Sequence, residues 1–291
     1  MKTILTATDF SAAGHNACRY AAELAKTFDA RLILLNAFER KAVPVADTGL
    51  LTLPEDTHRL VEEQLNSEAM SINPYRVLRM EKISREDSPS NAILDVTREK
   101  KADLIIIGMK SEGKGIRKML GSTVTDLLRK TSIPIIVIPE SAEYKRIDTI
   151  AMANESDIEP DADAHVLDTL REIAENFQSK LFLIRIAKTK FKEIFEAFNP
   201  PFRLTKILWT LDPEYECIRD KEIPHALNEF IKKFHINLLA MLPHNHSLLE
   251  RWFTGSTTRS MIFETEIPLL IMPEKRDNTS ISGSPGKEIV L

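Results

Sequence analysis

Residues 121–140, GSTVTDLLRKTSIPIIVIPE, return 134 positions later as residues 255–274, GSTTRSMIFETEIPLLIMPE. The Gly-Ser-Thr start, a later threonine, Ile-Pro and the closing Pro-Glu coincide without a gap. Upstream, residues 102–111 (ADLIIIGMKS) parallel residues 236–245 (INLLAMLPHN) at the same offset. Two matches in one register point to a duplicated domain, and such a repeat constrains the fold more than any local propensity. The 291 residues suit two domains of ordinary size. The expected divisions are 1–142, 143–275 and a polar, Gly/Ser/Pro-bearing tail at 276–291, with the linker at 141–145.

The first copy reads as strand alternating with helix. Thr3–Ala7 and residues 31–37, 104–107 and 135–138 are short apolar runs of strand length, and 75–83 alternates like a strand. Ser11 is placed to cap a helix that carries Ala17, Tyr20, Ala21, Leu24, Ala25 and Phe28 on one stripe. A second helix is expected over 55–71, with Leu60, Val61 and Leu65 as its apolar positions. Ser88-Pro89 opens a third that runs to Lys101, and 121–130 forms a fourth. Unbroken apolar strands between helices imply a parallel sheet covered on both faces. The fold class expected is therefore α/β, as two tandem doubly wound, Rossmann-like domains.

Hydrophobic residues make up 43% and charged residues 28%, ordinary for a globular protein. A net charge of −4 supplies no electrostatic footprint for nucleic acid or an anionic membrane. Asp9 interrupts the N-terminal apolar stretch before a signal segment could form, and no apolar run approaches the roughly 18 residues of a membrane helix. Cys18 and Cys217, one per half, read as free thiols of a reducing compartment. The expected location is cytoplasmic, with neither nucleic acid nor membrane as partner.

Glycine placement is the sharpest chemical signal. Of nine glycines, Gly108, Gly113, Gly115 and Gly121 follow one strand and lead into a helix that begins Gly121-Ser122-Thr123. In a parallel sheet, ligands sit beyond the carboxyl ends of the strands. A glycine-rich loop lets backbone N–H groups approach a phosphate, and a helix N-terminus adds orphan donors and a positive dipole end. The same run matches G-x-x-x-x-G-K, yet Gly115 stands where a P-loop needs Ser or Thr to ligate magnesium. The helix also begins too late for that motif, which disfavours a P-loop against a different phosphate cradle.

The run GMKSEGKGIRKMLGST resembles the universal stress protein signature: glycine, two residues, glycine, nine residues, glycine, then Ser or Thr. Gly108 and Gly121-Ser122 match at the right spacing, while Ser111 stands where the middle glycine is usual. TATDFS, DSPSNAIL and SIPIIVIP fit the family's other landmarks, and the resemblance covers nearly the whole chain as a tandem. It implies an adenine nucleotide alpha hydrolase-like fold and bound ATP, with AMP or ADP as alternatives and Mg2+ accompanying the nucleotide. By the resemblance, Ala7 and Asp9 contact adenine and Ala37 lines its pocket. Ile107 and Gly108 lie by the ribose and phosphates, and Lys110, Ser111, Gly121, Ser122 and Thr123 hold the phosphates.

The second copy departs from this pattern. Asn154 stands at the position of Asp9, Leu242 at Gly108 and Asn245 at Ser111, leaving Gly255-Ser256-Thr257 as the surviving element. That copy is expected to have lost nucleotide binding and to act as a packing partner. His244 and His246 lack the further ligands a metal site needs and read as loop residues. Trp209, Trp252, Phe253 and the aromatics of 191–198 read as packing residues, and His15 and Asn16 as exposed.

No paired carboxylates, placed base or magnesium-ligating set accompany the cradle, which favours binding over turnover. The expected function is an ATP-binding, stress-response regulator or sensor. A nucleotide-free interaction scaffold and a weak ATPase or autophosphorylating enzyme are the alternatives. The last apolar strand of each copy, if left as an edge, invites association. Pairing these two edges antiparallel would make the chain an internal pseudo-dimer, with homodimerisation optional.

Overall fold

The computed structural model describes residues 1–39, 43–44, 51–52, 57–110, 121–154, 167–187, 208–219, 223–242 and 266–273. The first half runs β1 (Thr3–Ala7), α1 (Ala12–Thr27), β2 (Arg31–Phe38), a short hairpin of β3 (Val43–Pro44) and β4 (Leu51–Thr52), α2 (Thr57–Ile72), β5 (Met80–Glu86), α3 (Pro89–Lys100), β6 (Leu104–Met109), α4 (Ser122–Lys130) and β7 (Ile135–Pro139). The second runs β8 (Thr149–Asn154), α5 (Asp168–Phe177), β9 (Lys180–Ala187), a 3-10 turn (Trp209–Leu211), β10 (Glu214–Arg219), α6 (Ile223–Phe234), β11 (Leu238–Met241) and β12 (Leu269–Ile271).

One ten-stranded sheet carries both halves, in the order β10-β9-β8-β11-β12-β7-β6-β1-β2-β5. The pairings inside each half are parallel, as in β1 with β2 and β6 and in β8 with β9 and β11. Between the halves β12 runs antiparallel to β7, with Leu270 opposite Ile136. The central strands bury both faces. Ile4, Leu104, Ile106, Ile136 and Leu270 enter the core under α1, α2 and α5. Leu5, Ile105, Ile107, Val137 and Leu269 enter the opposite core under α3, α4 and α6. Each core crosses from one half into the other, so the sheet is a continuous Rossmann-like layer with helices on both faces.

The two halves correspond in hydrogen bonds as well as in strand order. Asp103 accepts the backbone N–H groups of Lys2 and Thr3, tying β1 to the start of β6. At the equivalent place Asn237 accepts those of Asp148 and Thr149. Lys101 and His235, which lie just before, both adopt left-handed backbone, at φ 53° and 50°. Each follows a helix whose end closes with the same bond, Ala102 N to Thr97 O and Ile236 N to Ile231 O. Across the junction, the Phe28 and Phe177 rings meet edge-on at 6.1 Å, and Tyr20 packs edge-on against Tyr144 at 4.8 Å. The amino group of Met1 pairs with Glu172 of α5.

Several expectations are corrected. The strand expected over 75–83 begins only at Met80, and Tyr75 and Val77 are 88% and 69% exposed. Asn73 explains the delay: its side chain bonds both the N–H and the carbonyl of Leu78, and Arg76 turns through φ 54°. Leu60 faces solvent while Val61 and Leu65 are buried. His15 and Asn16 are half-buried rather than free. His15 Nδ1 lies 2.9 Å from Glu68 Oε1, and Asn16 donates to the carbonyls of Pro139 and Ala142. Trp209 is 70% exposed, not a packing residue. Trp252, Phe253, residues 191–198, His244 and His246 lie outside the described residues. Among the described residues no helix is long and apolar enough to cross a membrane.

Directly opposed residues of an antiparallel pair sit about 4.5–5.5 Å apart, within disulfide reach. The double substitution Ile136→Cys with Leu270→Cys should therefore oxidise within one chain. Peptide mapping should join positions 136 and 270 while the protein keeps its uncrosslinked mass. Crosslinked dimers in place of that product would contradict the strand order described.

Candidate functional site

β1 ends at Ala7, and the chain turns sharply before α1. Thr8 continues the ladder through its N–H to Leu35, and its carbonyl accepts the buried Asn36 side chain at 2.8 Å. Phe10 then adopts φ 59°, an uncommon backbone for a residue other than glycine. The Thr8 hydroxyl receives the Phe10 N–H at 3.0 Å and helps hold that turn. Ser11 follows as the N-cap of α1, and its hydroxyl accepts the Gly14 N–H.

Asp9 stands at the apex. Its Oδ1 accepts both the backbone N–H and the hydroxyl of Ser11, and its Oδ2 lies 2.9 Å from Lys110 Nζ. Partial burial alone would push the Asp9 carboxyl up. The bonds from Ser11 and Lys110, with the Lys110 charge, outweigh it and hold the carboxyl below the usual range. The bond donated to Asp9, reinforced by the carboxylate charge, lifts the Lys110 ammonium above its ordinary value.

Gly108 has a role that the glycine pattern did not reveal. A Cβ there would lie 2.3 Å from the Ala13 carbonyl oxygen and 3.0 Å from the Gly14 amide. The missing side chain lets the first turn of α1 lean directly on the end of β6. Gly108 is thus a packing glycine between helix and strand. Gly14 belongs to the same contact, since a Cβ on it would lie 2.8 Å from Asp9 Oδ1. Gly121 differs from both. It is the N-cap of α4 at φ −54°, ψ 159°, and as a glycine it has no side chain to cap the helix; among the described residues nothing lies within 4 Å of an added Cβ.

These elements enclose a cavity of about 350 Å³ at the carboxyl ends of β1, β2 and β6. That is the crevice where the strand order reverses direction around β1, the usual ligand position in a doubly wound sheet. The volume falls within the range of small-molecule sites. Ala7, Asp9, Ala37, Ile107 and Gly108 line it, as do Lys110, Gly121, Ser122 and Thr123. Ser111, the remaining residue expected there, lies outside the described residues. The sequence reading missed Ser11, Gly14, Pro89, Ile93 and Val124, which line the same space. Pro89 and Ile93 are four apart on α3 and so share a face; the spacing was present in DSPSNAIL. The walls are apolar at Ala37, Pro89, Ile93, Ile107 and Val124, and polar where Asp9, Lys110, Ser122 and Thr123 meet.

In the second half Leu242 stands at the position of Gly108 and is 4% exposed, packed in the core with Ile150 and Met152. A leucine therefore fills the place where Gly108 admits the first turn of α1. Residues 255–257 lie outside the described residues.

The universal stress protein family model matches residues 1–139. A universal stress protein of Thermus aquaticus is 31% identical over 140 residues, which are 47% of this chain and 98% of that protein. The chain belongs to the universal stress protein family. A universal stress protein of Mycolicibacterium smegmatis is 26% identical over 173 residues, and the match spans only 58% of its length. A universal stress protein structure from Archaeoglobus fulgidus has the same fold over both halves. It has a TM-score of 0.66 at 13% identity, covering 93% of this chain and 98% of that one.

In this universal stress protein, Gly108→Ala should lower stability by about 1–3 kcal/mol, because a backbone carbonyl must move to admit the methyl. Gly121→Ala should stay within about 1 kcal/mol, the scale of an N-cap change. Thermal unfolding of the two variants checks the contrast. Equal losses would mean that Gly108 is not the packing point of α1.

Proposed function

We propose that the first half of this universal stress protein binds one adenine nucleotide, ATP, in the cavity between β1, β6 and α4. The observation that carries this reading is the α4 N-terminus. Its N-cap is a glycine with no side chain to offer, and it presents Ser122 and Thr123 at the cavity that also holds Lys110. An uncapped helix start with adjacent hydroxyls and an ammonium suits a phosphate chain. The apolar side formed by Ala7, Ala37, Pro89 and Ile93 suits a flat base. The Asp9 carboxylate can accept from an adenine amino group. Ile107 and Gly108 then fall beside the ribose, and Ser111 adds to the phosphate ligands. AMP and ADP use the same base and sugar contacts, and Mg2+ would enter with the nucleotide.

Binding is favoured over turnover. Among the described residues lining the cavity, Asp9 is the one carboxylate, and Ser11 and Lys110 already occupy its oxygens. Among the described residues, no histidine or second carboxylate lines the cavity to complete an acid–base pair. The reading is therefore a cytoplasmic stress-response regulator or sensor, with weak ATP hydrolysis, autophosphorylation or a nucleotide-free scaffold as the alternatives. We assign residues 1–142 to the nucleotide-binding unit and 143–275 to a partner unit that has lost binding. The β7–β12 pairing supports reading the chain as an internal pseudo-dimer, for which a homodimer is optional.

Gly121→Val tests the site. The φ and ψ at position 121 suit a β-branched residue, and among the described residues nothing crowds the added Cβ, so the variant should fold. It should nevertheless lose ATP affinity at least tenfold, because valine occupies the phosphate approach to α4. Calorimetry on the folded variant reads the outcome. Undiminished affinity would place the nucleotide elsewhere.

A further inference from the structure

The N-termini of α1 and α4 both face the cavity, and they are not equivalent. α1 already has an anion: Asp9 Oδ1 takes the Ser11 amide and hydroxyl and rests against Gly14. A carboxylate there satisfies the positive end of the helix dipole. α4 has no side-chain cap of its own. Lys110 lines the same cavity, and its ammonium sits on Asp9 Oδ2 at 2.9 Å. A phosphate chain seated on α4 would attract Lys110 and be repelled by Asp9.

We propose that Asp9 holds Lys110 in reserve, so that transfer of the ammonium from carboxylate to phosphate sets how strongly the site prefers nucleotides with more phosphates. This rests on nucleotide binding in the cavity and specifies how that site discriminates among its ligands. The geometry permits the exchange. Ser11 grips Oδ1 alone, so the carboxylate keeps its place when Lys110 leaves Oδ2. Both side chains are more than half exposed, 62% for Lys110 and 57% for Asp9, so the pair is weak enough to break for a more highly charged partner. An exposed pair of this kind corresponds to about a two- to fivefold effect on an equilibrium. Asparagine at position 9 retains an acceptor for Ser11 and removes the charge. Asp9→Asn thereby separates electrostatics from positioning.

The test is calorimetric titration of the full chain with adenosine, AMP, ADP and ATP. Wild type, Asp9→Asn, Lys110→Met and the double variant are compared through the ratio of ATP to adenosine affinity, in which base contacts cancel. Asp9→Asn should raise the ratio about two- to fivefold, and Lys110→Met should lower it. In the double variant, the gain from Asp9→Asn should shrink, because no ammonium is left to release. A ratio unchanged or lowered by Asp9→Asn would overturn the inference while leaving nucleotide binding intact. So would an equal gain with and without Lys110. Wild-type protein that binds none of the four ligands would remove the functional reading and this inference with it.

Discussion

The close approach of the Ala13 carbonyl to Gly108 sets the geometry of the candidate site. It brings the start of α1 against the end of β6 with no side chain between them. Asp9, Ser11 and Gly14 arrive with the helix, and Lys110 arrives with the strand. The ion pair between Asp9 and Lys110 and the cavity that opens toward α4 both follow from that approach. Wider spacing of α1 and β6 would separate these groups. In the second half Leu242 holds the position of Gly108 and belongs to the core. The two halves thus share strand order and hydrogen-bonded corners, yet differ at this position.

The sheet shows how the two halves avoid leaving two apolar edges exposed. β7 and β12 are fully or almost fully buried, and each pairs with the other across the junction. The edges that remain are β5 and β10. β5 carries Glu81, Lys82, Arg85 and Glu86, the kind of charge that discourages edge-to-edge pairing. Because both cores cross the junction, the second half contributes burial to the first. The meeting of Phe28 with Phe177 and the pairing of Met1 with Glu172 add contacts outside the sheet.

Much of this was legible in the sequence. The repeat offset, the apolar strand runs and the glycine-to-helix spacing fixed the order of elements and gathered the candidate residues on one end of the sheet. What escaped was set by contacts between distant segments. The alternation of 75–83 looked like a strand, but the Asn73 side chain captures Leu78 and holds Tyr75 and Val77 in a turn. His15 and Asn16 looked like surface residues because their partners, Glu68 and the carbonyls after β7, are remote in sequence. Gly108 was read through phosphate chemistry, whereas its tightest neighbour is a backbone carbonyl from α1. Pro89 and Ile93 carried a helical spacing that pointed to one face, but nothing local said that this face borders the cavity.

The central claim is that one half keeps a ligand site and the other has given it up. The number of ATP molecules bound per chain measures that directly. Titration calorimetry on the full chain, with active protein concentration fixed independently, should give a stoichiometry near one. A stoichiometry near two would contradict the assignment of the second half as a partner without a site.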